Sequence, residues 1–149
     1  MDNRRAVDAL VDFYENLRPE TVAGIDDHYA VDAVFKDPFN EVCGRPAIRR
    51  VFAHLFTQVG EPRFVVVDRV VDERGALLIW EMYYRSSTKT PRNPTEVIRG
   101  ASHLRFDAEG RVTWHRDYWD AAEELYARLP VIGWLMRALR RALAAPERA

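Results

Sequence analysis

Residues 106–120 read FDAEGRVTWHRDYWD, and this stretch decides the fold of the chain. The polar residues 107–110 separate residues 102–106 from residues 111–119, and both flanking segments are rich in β-branched and aromatic side chains. This pattern predicts a β-hairpin of two long strands joined by a tight turn. We expect the hairpin to lie in the middle of a sheet.

The second strand of this hairpin carries different side chains on its two faces, because successive residues of a strand point in opposite directions. One face carries His115, Asp117 and Trp119, and the other carries the intervening residues 114, 116 and 118. Neither face is purely polar, so we expect helices to cover one face and the partner subunit of a homodimer to cover the other. An acidic group between an imidazole and an indole makes Asp117 the first candidate for a function.

The composition is that of one globular domain, with 149 residues of which 48% are hydrophobic and 30% are charged. The net charge of -1, with acids and bases intermixed, argues against a bulk nucleic-acid binder. The single cysteine, Cys43, cannot form an internal disulfide, which is typical of a reducing compartment. The N-terminus lacks the apolar core of a signal peptide, and no apolar run approaches membrane-spanning length. We therefore expect a cytoplasmic protein without stable membrane insertion.

Apolar residues at three- and four-residue spacing predict three helices in the first part of the chain. Tyr14 belongs to the buried stripe of the first helix, and Pro46 is suited to the first position of the third. These helices are predicted over residues 4–17, over residues 21–29 and from residue 46 onward.

Strand patterns appear between and after these helices. A short strand is predicted to end at Asp37, before Pro38, and an antiparallel meander of four strands is predicted after the third helix. Loops are predicted over residues 39–44 and 85–94. The strands cover residues 33–37, 63–71, 76–84, 96–106 and 111–119. The sequence therefore predicts an α+β fold with its helices gathered on one face of the sheet.

The chain after Trp119 is predicted to be helical. Asp120 is suited to cap this segment, Pro130 interrupts it, and residues 131–144 resume with an apolar stripe set apart from three arginines. We expect one domain over residues 1–149, with residues 120–149 as a C-terminal helical extension. Three roles are open for the extension: packing against the sheet's outer face or a partner, closing a pocket as a lid, or adhesion to an acidic membrane surface.

Three motifs together resemble the nuclear transport factor 2-like superfamily: a short strand ending in Asp37-Pro38, the turn Phe-Asp-x-x-Gly-Arg at residues 106–111, and the ending Tyr118-Trp119. The resemblance covers roughly residues 4–125. Members of this superfamily include ketosteroid isomerases, SnoaL-like polyketide cyclases, limonene epoxide hydrolases and scytalone dehydratases. The resemblance implies a cone-shaped fold in which three N-terminal helices pack on a curved, mainly antiparallel sheet around an apolar pocket.

The same resemblance implies roles for particular residues. Residues 35–38 (Phe-Lys-Asp-Pro), followed by residues 44–48 (Gly-Arg-Pro-Ala-Ile), look like the segment that carries the proton-shuttling base of ketosteroid isomerases, which implies that role for Asp37. Tyr14 matches their oxyanion-binding tyrosine once one residue is deleted. Their second donor, a protonated aspartate, is replaced here by Ser102. SnoaL-like cyclases place an acid-base aspartate in the region of Asp117, so the chain departs toward the cyclase pattern.

Removing a proton from carbon next to a carbonyl requires a base in an apolar pocket and hydrogen-bond donors at the oxygen where charge accumulates. We expect Asp117 and Asp37 to divide the acid and base work, with His115 orienting Asp117 or relaying its proton. Tyr14, His115 or Ser102 could donate to the oxyanion. The pocket is expected to be lined by Trp80, Met82, Ser102, Leu104 and Trp119.

Each candidate also has a purely structural interpretation. Asp37 could close a turn through its side-chain oxygen, and the hydroxyls of Tyr14 and Ser102 could be satisfied within the core. His115 and Asp117 could supply two metal ligands, but His103 should point away from them, so no metal site is expected. Asp117 could instead be paired with an arginine, namely Arg99, Arg105 or Arg116.

Two classes of function follow from these observations. The first is a cofactor-independent isomerase, cyclase or lyase that acts on a small, mostly apolar carbonyl compound. The second is a non-catalytic ligand carrier or a dimeric interaction module that uses the same cavity or the outer face of the sheet. Fold alone does not choose between them.

Overall fold

The structure is a computed structural model that describes residues 3–85, 95–124 and 130–144, without the side chains of residues 130 and 131. Its helices are α1 (Arg4–Glu15), a 3-10 helix (Pro19–Gly24), α2 (Ile25–His28), α3 (Arg45–Gln58), α4 (Ala121–Glu124) and α5 (Pro130–Leu143). Its strands are β1 (Tyr29–Lys36), β2 (Glu41–Cys43), β3 (Gly60–Asp72), β4 (Gly75–Arg85), β5 (Thr95–Phe106) and β6 (Val112–Tyr118). The predicted α+β class is confirmed.

The described strands form one six-stranded sheet in the order β2-β1-β6-β5-β4-β3. Strands β3 to β6 form the predicted antiparallel meander, and β1 pairs parallel with β6. The β5–β6 hairpin therefore lies in the middle of the sheet, as predicted. This position places the side chains of β6 between two neighbouring strands.

The turn of the β5–β6 hairpin is held by the carboxylate of Asp107. Its Oδ1 accepts hydrogen bonds from the backbone N–H groups of Glu109 at 3.0 Å and Arg111 at 2.8 Å, and its Oδ2 accepts one from Arg111 Nε at 3.1 Å. Partial burial raises the pKa of Asp107, but these hydrogen bonds outweigh it, so the pKa lies below its usual value. Gly110 has a φ of 80°, a left-handed conformation that glycine adopts without strain.

The inner face of the sheet is covered by α1 and α3. Val7, Leu10 and Tyr14 of α1 and Ile48 and Phe52 of α3 are buried. Burial of one large apolar side chain stabilises a fold by roughly 1.5–3 kcal/mol, so this layer is a main source of stability. On β4 alternate residues face this core, namely Ala76, Leu78, Trp80, Met82 and Tyr84.

The structure corrects the prediction for residues 21–44. Instead of one helix over residues 21–29, the 3-10 helix and the single turn of α2 end at His28, and β1 already begins at Tyr29. The loop predicted over residues 39–44 contains β2, which pairs antiparallel with β1. Long-range pairing explains both differences, because β1 is extended by its contacts with β6 and β2, which local sequence patterns do not report.

The C-terminal prediction holds where the structure describes it. Asp120 caps α4, since its Oδ1 accepts hydrogen bonds from Ala122 N at 2.9 Å and Glu123 N at 3.0 Å. The helix α5 corresponds to the segment predicted over residues 131–144. The predicted loop over residues 85–94 lies, apart from Arg85, outside the described residues. None of the described helices has both the length and the apolar character needed to cross a bilayer.

We predict that Asp107→Ala lowers the free energy of unfolding by about 1–2 kcal/mol, because three hydrogen bonds to a charged group are lost. Asp107→Asn keeps an acceptor for the backbone donors but removes the charge. Since the folded-state pKa of Asp107 is lowered, the charge contribution is complete above the unfolded pKa of about 3.9 and disappears as the pH falls through the folded value. Urea denaturation at pH 7 and at about pH 3 measures both effects.

Glu109→Gln is the matched control, because Glu109 pairs with Arg111 at the exposed surface of the same turn. The stability difference between wild type and Asp107→Asn should shrink at low pH. If wild type and Asp107→Asn were equally stable at both pH values, the charge of Asp107 would not stabilise the turn.

Candidate functional site

Six polar side chains form one continuous chain of hydrogen bonds beneath α1. Tyr29 Oη lies 2.6 Å from His115 Nδ1, and His115 Nε2 lies 2.7 Å from Asp117 Oδ1. The chain runs in the order Tyr14, Tyr29, His115, Asp117, Ser102 and Trp80. These residues come from α1, β1, β6, β5 and β4, so the site joins five elements.

The two tyrosines act as hydrogen-bond donors. Burial raises the pKa of Tyr14 well above its ordinary value, and the nearby Tyr29 and Asp117 raise it further. Burial also raises the pKa of Tyr29, with a further contribution from the charge of Asp117. Both phenols therefore keep their protons at neutral pH. A carboxylate of Asp117 can only accept, so Nε2 of His115 is the donor to it. In the imidazole tautomer with its proton on Nε2, Nδ1 is the acceptor and Tyr29 is its donor.

Hydrogen bonds reach Asp117 from two sides and end on the same oxygen. His115 Nε2 and Ser102 Oγ both donate to Oδ1, the latter at 2.5 Å, and Trp80 Nε1 donates to Ser102 Oγ at 2.9 Å. Every donor in the chain thus points toward Asp117, which is the arrangement expected of a carboxylate. Among the described residues none donates to Oδ2. The Asp117 side chain is 17% exposed, whereas His115 is buried.

A small cavity of about 30 Å³ adjoins this chain. It has room for one or two water molecules and is far smaller than a typical ligand pocket of about 300–1,000 Å³. A larger ligand can enter only if the wall side chains move. Its polar lining is Tyr14, Ser102, His115 and Asp117, and its apolar lining is Phe52, Phe64, Val66, Leu78 and Trp80.

Cross-strand pairing explains how these side chains meet. Ser102 on β5 lies directly opposite Asp117 on β6, so their side chains share the inner face of the sheet. Gly100 lies opposite Trp80, and a Cβ at position 100 would come within 2.5 Å of the indole ring. The absence of a side chain at Gly100 therefore lets the indole lie over the sheet and donate to Ser102.

The structure brings together five of the residues selected from the sequence: Tyr14, Trp80, Ser102, His115 and Asp117. Met82 and Leu104 are buried in the core but do not line the cavity. Trp119 instead packs edge-on against Phe39, with ring centroids 5.5 Å apart. The observed cavity therefore has fewer of the expected lining residues than the sequence predicts.

The alternative that Asp117 pairs with an arginine is not what the structure shows. Arg99 Nε lies 3.5 Å from Glu81 Oε1, and the Arg116 guanidinium lies 4.6 Å from the centre of the Tyr118 ring. Asp117 is bound by His115 and Ser102 instead. In the described part of the chain the hydrogen-bond partners of Asp117 are thus an imidazole and a hydroxyl, and not an arginine.

Asp37 lies apart from this chain. Its Oδ1 accepts hydrogen bonds from the backbone N–H groups of Phe39 at 2.7 Å and Asn40 at 2.6 Å, and both its oxygens accept from Asn40 Nδ2. It lines an open groove of about 560 Å³ at the end of β1, together with Trp119 and Asp117, and does not line the small cavity. Asp117 therefore borders both the groove and the cavity. These contacts correspond to the turn-closing role that the sequence allowed.

Tyr29 is the member of the site that the sequence did not reveal. The sequence pattern predicts Tyr29 at the end of a helix, whereas in the structure it is the first residue of β1 and has no exposed surface. Residues 29 and 34 of β1 pair with β6 across a register shift, so a simple alternation along β1 would not have located it. Across the described ranges, no three His, Cys, Asp or Glu side chains group as a metal site would require.

Comparison with known proteins identifies the family of this chain. The SnoaL-like domain profile matches residues 10–115, which is more than half of the chain. No curated protein matches the chain.

Several solved structures share the fold. A protein from Catenulispora acidiphila with a ketosteroid isomerase-like fold, in complex with trimethylamine, has 16% identity and a TM-score of 0.68, covering 87% of this chain and 95% of its own. A candidate SnoaL-like polyketide cyclase from Shewanella denitrificans has 18% identity and a TM-score of 0.64, covering 85% and 98%. AclR, a candidate hydroxylase from Streptomyces galilaeus, has 18% identity and a TM-score of 0.67, covering 86% and 97%. The chain therefore belongs to the SnoaL-like domain family of the nuclear transport factor 2-like superfamily.

Proposed function

We propose that this protein is a cofactor-independent acid-base enzyme of the isomerase, cyclase or dehydratase type that acts on a small, mostly apolar carbonyl compound. The observation that carries the proposal is the hydrogen-bond chain in which every donor points toward Asp117 Oδ1 and no described residue donates to Oδ2. Membership of a family that includes polyketide cyclases supports a carbonyl substrate.

Asp117 is the base in this proposal. Its Oδ2 removes a proton from the carbon next to the carbonyl and later returns it to the product. His115 Nε2 and Ser102 Oγ hold Oδ1, so the carboxylate cannot rotate away from the substrate. The apolar walls leave room for only one or two water molecules, and this low-polarity environment strengthens the interaction between the carboxylate and the reacting group.

Tyr14 is the donor to the oxyanion. Its hydroxyl lines the cavity and lies 3.2 Å from His115 Nδ1, but Tyr29 already donates to that nitrogen at 2.6 Å. An imidazole nitrogen accepts one strong hydrogen bond, so Tyr14 donates to Tyr29 at the outer end of the chain. A ligand can take over this proton without breaking the links from Tyr29 through His115 to Asp117. Because its pKa is raised, Tyr14 donates a hydrogen bond without transferring its proton.

Asp37 has a structural role in this proposal. Its four hydrogen bonds stay within the loop between β1 and β2, and it faces the open groove. The acid and base work that the sequence divided between two aspartates is thus assigned to Asp117 alone.

We predict that Asp117→Asn reduces proton abstraction by at least roughly 10²-fold, because the base is removed while the shape of the side chain is kept. Carbonyl compounds selected by thermal shift are incubated with the protein in D2O, and NMR measures the exchange of their α-hydrogens for deuterium. This exchange reports the first chemical step even when the complete reaction is unknown.

Asp37→Asn is the matched control, since it makes the same chemical change in the groove that Asp117 also borders, but outside the hydrogen-bond chain. It should keep exchange within about threefold of wild type, because acid-base catalysis contributes far more than that. Loss of exchange in Asp37→Asn together with normal exchange in Asp117→Asn would assign the base to Asp37 instead.

Tyr29 is proposed as a positioning residue that selects the tautomer of His115. We predict that Tyr29→Phe lowers the exchange rate by about tenfold, less than removal of the base itself, because His115 loses the donor that keeps its proton on Nε2. 15N NMR of the His115 ring should show the Nε2–H form in wild type and a mixture of tautomers in the variant. Tyr118→Phe on the exposed face is the control. An unchanged ring spectrum in Tyr29→Phe would contradict this role.

A non-catalytic interaction module is the second candidate, and the outer face of the sheet supports it. Val70, Leu77 and Ile79 are neighbours on β3 and β4 and are 68%, 44% and 39% exposed. Tyr118 on β6 adds a fourth large side chain, 50% exposed, to the same face. Apolar side chains clustered on one sheet face are typical of a surface that another subunit covers.

For this face we predict that the wild-type protein is a dimer and that the double variant Leu77→Glu/Ile79→Glu is a monomer, because charges would be buried in the interface. Sedimentation equilibrium measures the mass of both proteins. Val31→Glu is the control, since Val31 is 70% exposed on β1, away from the three neighbouring residues. If the wild-type protein were a monomer, the proposal of a dimeric interaction module would be wrong.

A further inference from the structure

The helix α5 exposes an apolar stripe that no other described element covers. Ile132, Leu135, Leu139 and Leu143 recur at three- and four-residue spacing, which places them on one side of a helix. They are 44%, 49%, 46% and 84% exposed. Such a stripe normally packs against a protein core, so its exposure requires an explanation.

The opposite side of α5 is basic. Arg137, Arg140 and Arg141 lie within five residues, and α5 contains no acidic residue, although the chain as a whole has a net charge of -1. Arg140 Nη1 is 3.5 Å from Glu123 Oε1, and both side chains are more than half exposed. Such an exposed ion pair contributes little to the stability of the fold, and the Arg140 guanidinium remains accessible to an external anion.

Trp134 marks the border between these two sides. In a helix of 3.6 residues per turn it lies next to Arg137 and Arg141 and away from the centre of the leucine stripe. Its side chain is 67% exposed. Tryptophan prefers the level of lipid headgroups, where its ring is partly in an apolar environment and its N–H is hydrated.

We propose that α5 docks this protein on the surface of an anionic lipid bilayer. A basic side, an apolar stripe and a tryptophan at their border complement a layer of acidic headgroups above acyl chains. The 14 residues of α5 extend about 21 Å, less than the hydrocarbon thickness of about 30 Å, so the helix lies along the surface. A second copy of this chain is a poorer occupant, because the centres of protein interfaces are depleted of charge and α5 has no acidic group to pair with its own arginines.

Vesicle co-sedimentation with the full chain tests this proposal. The probes are vesicles of phosphatidylcholine alone and vesicles of phosphatidylcholine with about one third phosphatidylglycerol, each at low and high salt. We expect binding to the anionic vesicles to be at least tenfold tighter than to the neutral ones and to weaken with salt. Arg140→Gln/Arg141→Gln should lose roughly tenfold or more in affinity, since each basic residue near an anionic surface contributes to binding.

Leu139→Gln tests the apolar stripe and should also weaken binding to anionic vesicles. The controls are Arg74→Gln and Val70→Gln, which remove one exposed arginine and one exposed apolar residue outside α5. Circular dichroism verifies that every variant is folded. Absence of binding to anionic vesicles, or equal binding of wild type and the arginine variant, would overturn the proposal. So would a conversion of dimer to monomer by Leu139→Gln, since a second copy would then occupy the stripe.

Discussion

The hydrogen bond that Tyr29 donates to Nδ1 of His115 orients the whole polar interior of this protein. It leaves the imidazole proton on Nε2, and this proton in turn holds one oxygen of Asp117. Buried phenols are well suited to this task, because burial raises the pKa of Tyr29 and keeps its hydroxyl a donor. The Asp117 carboxylate is largely withdrawn from water, and the hydrogen bonds that Oδ1 accepts from His115 and Ser102 offset part of its lost hydration.

The sheet separates two kinds of surface. Its inner face, covered by α1 and α3, holds the hydrogen-bond chain and the small cavity, while its outer face keeps large side chains such as Val70 and Leu77 exposed. The strict alternation along β4 produces this separation, because neighbouring residues of a strand point to opposite faces. Chemistry on one face and association on the other are therefore compatible within a single chain.

Two features of the structure would change on binding. A ligand would enlarge the small cavity, and a bilayer would bury the exposed apolar stripe of α5. Phe64 and Val66 of β3 are only partly buried walls, so they can move more easily than the fully buried core around Leu104. An apolar substrate would replace their mutual contacts with contacts of its own. The apolar stripe of α5 is likewise exposed to water, and its burial on a bilayer would be favourable through the hydrophobic effect.

Local pattern determined the α+β class, the β5–β6 hairpin, the Asp120 cap and the shared face of His115 and Asp117. Each of these depends on neighbouring residues, through turn chemistry at Asp107 and Gly110 or through strand alternation. The partners of Asp117 depend instead on strand register across the sheet, which brings Ser102 opposite it and Tyr29 beneath His115. Only the tertiary structure could decide these contacts, and the turn-closing contacts of Asp37, because they follow from pairings and loop geometry that propensity and periodicity do not encode.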